Sequence, residues 1–348
     1  MLRVRQATVI RLVAAIVLCT LITAASTACS DRNSGTNIPG HPVFVTNVFV
    51  VDGSIWLIRA ENSSPDRIRQ LNTVNDGGGE TTMMSFQWGS SPVYSAFHGL
   101  FFYVDDDSLY SYDPRSGAVE TICITGEKSR FVCVVTENYV IIANTGDYTN
   151  FGPTTIVNLV TKEVTRCYGL DWGPPSILDT YGDKIIHGGS HSKSVNIYDC
   201  ATDSSVELYK VAPNSNYSIN NGCIVDNSLF FIEWTPHGRL SVIENFDTET
   251  PMRAQQVKGV NRSIAGVKSF GDRVICAARE STSADQNRIL FFYLYPDGEF
   301  VHFTTWEDAK SWGFGSLSMV VADGYLVART TMNEDIFIYE LPTIPAGD

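Results

Sequence analysis

The sequence has no C-x-x-C pair, no cluster of Lys and Arg beyond its first dozen residues, no segment with a sustained helical period, and no apolar run longer than the 14 residues from Leu12 to Ala25. Each absence closes a class. Without paired cysteines at short spacing there is no zinc ribbon and no thioredoxin-like redox motif. With 25 Lys and Arg against 38 Asp and Glu, the formal charge of -13 repels phosphate backbones and argues against nucleic acid as a partner. The Leu12–Ala25 run falls short of the roughly 20 apolar residues that span a bilayer as a helix. Neither G-x-S-x-G nor H-E-x-x-H occurs. What remains is a chain with 44% hydrophobic and 18% charged residues, enough to bury a core and too little charge for disorder.

The N-terminus reads as an export signal: Arg3, Arg5 and Arg11, then the short apolar run, then small residues around Ala28. Its ending, Ser26-Thr27-Ala28-Cys29, resembles the bacterial lipobox. That resemblance implies lipid attachment at Cys29 and an extracytoplasmic, membrane-anchored protein; plain secretion and an uncleaved anchor are the alternatives. Residues 1–28 are then a signal peptide. Residues 29–42, rich in Gly, Ser, Asn and Pro, form a flexible tether, and residues 43–348 form the folded domain.

Short strands with alternating or fully apolar character fill that domain, which makes it all-β. Tight turns recur at Asp52-Gly53, His98-Gly99, Glu137-Asn138, Gly182-Asp183, Asp226-Asn227, Gly271-Asp272 and Asp323-Gly324. Gly, Asn and Asp suit hairpin turns because they tolerate positive φ. The spacing of about 45 residues is that of a four-stranded propeller blade. Residues 93–125 show the unit plainly: two apolar strands, a third ending in Tyr-Asp-Pro-Arg-Ser-Gly, and a more polar fourth. The expected fold is a β-propeller of seven four-stranded blades around a central channel, with six blades as the alternative. No fourth strand follows the last third strand, so either the tether completes the last blade or that blade has three strands.

One unit, residues 181–205, resembles a kelch repeat through Gly188-Gly189 followed by Tyr198 and Asp199. The other units lack the double glycine.

In a propeller, the loops joining second to third strands and those joining blades share one face. Those loops are the long ones here, and loops carry function. Trp88, Trp172, Trp234, Trp306 and Trp312 all map to them, and a rim of indoles can stack on sugars or grip peptide side chains. Trp234 and Trp306 are the leading ligand candidates. Trp88, Trp172 and Trp312 sit in repeated Trp-Gly pairs that equally suit plugging the wedge between blades.

His187 and His191 lack an evident third ligand, and Asp105–Asp107 lacks the spaced oxygens of a calcium loop, so no metal and no cofactor is expected. Asn62, Asn216 and Asn261 lie in Asn-x-Ser sequons, a weak signal. The six domain cysteines, Cys123, Cys133, Cys167, Cys200, Cys223 and Cys276, read as buried thiols or as disulfides. Sialidase boxes are absent, and Asp113 opens only a partial match to the quinoprotein blade signature. Asp147, Asp171, Glu233, Asp285, Glu307 and Asp335 supply carboxylates for a glycosidase or lactonase. The leading expectation is a non-enzymatic binding module for glycan, peptide or protein. A scaffold in an envelope complex and a carboxylate-dependent hydrolase are the alternatives.

Overall fold

The computed structural model describes residues 43–61, 69–74, 80–86, 92–126, 131–145, 151–167, 176–188, 193–211, 218–234, 238–248, 253–258, 260, 262–281, 287–307, 317–330 and 336–342. Every regular element among them is a β-strand. The strands form seven antiparallel sheets in chain order, six of four strands and a last one of three among the described residues. This is a seven-bladed β-propeller. Within each sheet the strands pair in sequence order, so each blade is a simple meander. The N-terminal tether and Cys29 lie outside the described residues.

The turns that marked the repeat are the hairpins between the first and second strands. Asp52, Gly99, Gly182, Asp226, Gly271 and Asp323 all have positive φ, the backbone state for which Gly and Asp are suited. The hairpins between third and fourth strands combine positive-φ residues, Gly117, Lys162, Asp203 and Gly298, with side-chain caps. Asp113, Asn158, Asp199 and Asp297 each accept, through their Oδ1, a main-chain N–H two residues on, an Asx turn that mimics a backbone turn. The Tyr-Asp-Pro-Arg-Ser-Gly signature of the second blade is this device.

The chain divides into two units, residues 1–88 and 89–348. The first contains blade 1, residues 43–86, whose apolar residues Val48, Val50, Trp56, Leu57, Ile58 and Leu71 are buried. On its fourth strand Glu80 takes an ion pair from Arg59 of the second strand and a 2.9 Å hydrogen bond from the Asn72 Nδ2 of the third. Burial alone would raise the Glu80 carboxyl; those hydrogen bonds and the Arg59 charge hold it below its usual value.

The second unit contains blades 2 to 7, beginning at residues 93, 131, 176, 218, 263 and 317. Its core is a series of wedges between neighbouring sheets. In blade 6, Val274, Cys276 and Ala278 pack toward blade 5, whereas Ile275 and Ala277 between them pack toward blade 7. Alternation along a strand sends successive side chains to opposite faces, so one strand serves two wedges. The same two-sided burial joins blades 2 and 3, 3 and 4, and 4 and 5.

Neighbouring blades come close, and small residues permit it. A Cβ on Gly238 of blade 5 would sit 2.2 Å from the main-chain oxygen of Ile264 in blade 6, and one on Gly222 would meet Leu178 of blade 4 at 3.0 Å. In blades 1, 3, 4, 5 and 6 the first strand also carries a β-bulge, by Thr46, Cys133, Leu178, Asn221 and Ala265, three to five residue pairs from the hairpin in blades 1, 4, 5 and 6.

Candidate functional site

The long-loop face falls largely outside the described residues, and Trp88, Trp172, Trp312, His191, Asp147, Asp171, Asp285 and Asp335 lie there. Trp234 closes the second strand of blade 5, Ser228–Trp234, opposite Ser218. Trp306 is not on a loop. It ends the fourth strand of blade 6, Phe300–Trp306, is 9% exposed, and stacks on Phe337 of blade 7 at 5.6 Å and 21°. The structure makes Trp306 part of the blade 6–7 core, because the following blade covers the side of the strand on which it stands.

Two of the acidic rim candidates are tied down. Glu233 is buried, and its Oε1 accepts hydrogen bonds from Ser241 Oγ at 2.6 Å and the Tyr209 hydroxyl at 3.3 Å. This polar knot links blades 4 and 5. Glu307 pairs with Arg288 at 2.7 Å. His187 points into the protein: burial pushes its imidazole down to about 4, and its Nε2 has no hydrogen-bond partner among the described residues. No group of three or more His, Cys, Asp or Glu among the described residues could hold a metal ion. All six domain cysteines are free thiols, four of them buried.

The described residues do form a cleft, on the opposite face, between blades 5 and 6. It has a volume of about 240 Å³. Its floor continues the apolar wedge between the two sheets: Val225, Val274 and Leu294 from the buried cluster, with Phe230 and Val257 half-buried beside them. Its rim is built from the hairpin ends, with Asp226 on blade 5 and Asp272 and Arg273 on blade 6, joined by Glu244 and Tyr295.

A local irregularity opens this wedge. The fourth strand of blade 5 is only two residues long, Gln255–Gln256, and pairs with the third strand solely at Ser241–Gln256 and Val242–Gln255. The sheet therefore runs out beside Glu244, leaving Val242 and Phe230 partly uncovered. The walls are nonetheless fixed. Val257 N–H donates to Leu240 C=O at 3.0 Å, and Tyr295 N–H donates to Glu299 C=O at 2.9 Å. Arg273 lies along one wall with its guanidinium 4.7 Å from the Tyr295 ring and 5.7 Å from the Tyr293 ring, while its Nε bonds Asp272 at 3.1 Å. The sequence did carry a signal for this place: residues 245–254, between the third and fourth strands of blade 5, form the longest such connection in the repeat.

No protein-family model and no curated protein sequence matches the chain. Solved structures do match its fold. The β-propeller domain of the Trilobed protease from Pyrococcus furiosus aligns with a TM-score of 0.52 at 10% identity, covering 86% of this chain and 93% of that one. The RRP9 WD40 repeats align at 0.51 and 11% identity, covering 85% and 90%. The Pyrococcus horikoshii acylaminoacyl peptidase aligns at 0.54 and 11% identity over 86% of this chain and 51% of that protein, so the chain spans about half its length. At such identities the likeness is one of fold, that of the β-propeller.

Proposed function

We propose that this chain is an exported, lipid-anchored β-propeller that binds a polypeptide partner without turning it over. The cleft between blades 5 and 6 carries the reading. It is an apolar hollow with fixed walls and a polar rim, and its 240 Å³ lies below the roughly 300–1,000 Å³ of small-molecule sites. A hollow of that size suits one or two side chains of a partner, the anchor-in-pocket arrangement that concentrates binding energy in protein interfaces. The WD40 and peptidase propellers among the fold neighbours support a binding role in general terms. The signal-like N-terminus with Cys29 supports the anchor.

The test is to pan a random heptapeptide phage library on the immobilised full chain and re-measure the recovered peptides on Val257→Trp and Ser228→Arg, which fill the cleft from either blade 5 element. Saturable binding that both variants abolish is the expected result. Failure to recover any peptide, or binding unaffected by both variants, contradicts the reading.

A further inference from the structure

We infer that the cleft between blades 5 and 6 takes a bulky apolar side chain flanked in its own sequence by lysine or arginine. This rests on the reading of the cleft as a polypeptide-binding site and adds the chemistry of the occupant.

Floor and rim ask for different things. Val225, Phe230, Val242, Val257, Val274 and Leu294 offer an inserted side chain no polar atom, so its tip must be apolar; a charged tip there would lose its hydration without a partner. At the rim, three carboxylates, Asp226, Glu244 and Asp272, face one cation, Arg273. That cation is already engaged: its Nε bonds Asp272, its Nη1 reaches the Tyr295 hydroxyl at 3.4 Å, and its plane lies by two tyrosine rings. Lys258 follows Val257 but is not among the lining residues. Asp226 and Glu244 are exposed, and their carboxylates meet no cation among the described residues. Two negative charges therefore stand uncompensated at the mouth of an apolar hole.

A partner segment that inserts Leu, Met or Phe and carries Lys or Arg on one or both sides satisfies both parts together. The long side chains of Lys and Arg reach the rim while their methylene stems lie along apolar surface. The protein's charge of -13 adds long-range attraction for such a segment and raises its encounter rate at low salt. Because the walls are held by main-chain hydrogen bonds, little ordering opposes the insertion.

The peptides recovered from the heptapeptide library give the test. Their shared pattern is expected to be a bulky apolar residue adjacent to Lys or Arg. Their affinity for the Asp226→Asn/Glu244→Gln double variant is expected to fall about fivefold at low ionic strength, and the difference to shrink in high salt. Both positions are exposed, so the double variant folds. Peptides that lose binding in Val257→Trp yet are acidic or uncharged, or that bind the double variant as tightly as the parent, overturn this inference while leaving the cleft as a polypeptide site. If no peptide is recovered, both fall.

Discussion

Asp183, at the tip of the first hairpin of blade 4, receives the Asn138 main-chain N–H at 2.9 Å and the Asn138 side-chain amide at 2.8 Å from the equivalent hairpin of blade 3. Thr136 adds its hydroxyl to the same carboxylate at 3.2 Å. One side chain thus latches two neighbouring turns. Asp183→Ala leaves the Asn138 N–H without its acceptor and should cost about 2 kcal/mol, read as a lower denaturant midpoint at unchanged slope. Asn138→Ala should cost less, because its N–H still reaches Asp183. No effect of Asp183→Ala would show that the latch contributes nothing to the blade 3–4 junction, and equal effects would show that the main-chain bond adds nothing beyond the side-chain amide.

Trp306 tests the boundary between core and ligand site. Truncation to Ala removes a buried indole and its stacking on Phe337, and should cost roughly 3–5 kcal/mol. Thermal unfolding measures it. Binding of recovered peptides to the cleft should persist in the folded fraction, since Trp306 belongs to the neighbouring wedge. A stable Trp306→Ala protein that had lost ligand would return this residue to the binding surface.

His187 and Asp179 give stability two opposite responses to pH. Burial drives the His187 imidazole from 6.5 down to about 4, so the stability tied to its neutral form is intact above pH 6.5 and is lost as pH falls through about 4. The full loss is on the order of 3 kcal/mol. His187→Leu should flatten the acid limb of the stability profile, and an unchanged limb would rule this origin out. Asp179 shifts the other way: burial raises its carboxyl, only partly opposed by the N–H groups of Ile224 at 2.7 Å and Thr180 at 2.9 Å and by the Lys268 charge. Its contribution is complete below about pH 3.8 and is lost as pH rises through the raised value. In Asp179→Asn that decline should disappear.

Burial pushes the Cys133 thiol up to about 12 and raises those of Cys200, Cys223 and Cys276 as well. The thiolate is the reactive form, so alkylation at pH 8 should leave these four unmodified until the protein unfolds. Mass spectrometry of native and denatured samples counts the labels. Rapid native labelling of Cys223 or Cys276 would contradict their placement in the blade 5–6 core.

The blades were legible because their signals are local. Asp226-Asn227 or Asp323-Gly324 declares a hairpin within two residues, and residues 93–125 lay out a whole blade in order. Trp306 was not legible: polar neighbours gave it the look of a loop residue, while the ring that buries it, Phe337, comes from the next blade. The cleft was hidden similarly. Val225 and Leu294 each read as ordinary core, and only the pairing of two sheets, with a two-residue fourth strand between them, leaves the space that both line. Local chemistry writes turns and strands into the sequence; a gap between sheets depends on contacts it does not spell out.

The most direct test of the account is a methyl-resolved NMR titration of the valine- and leucine-labelled chain with a recovered peptide carrying an apolar residue beside Lys or Arg. The account predicts shifts concentrated on Val225, Val242, Val257, Val274 and Leu294, saturating with peptide and weakened by Asp226→Asn/Glu244→Gln. Shifts centred on other blades, or none at these five residues, would contradict it.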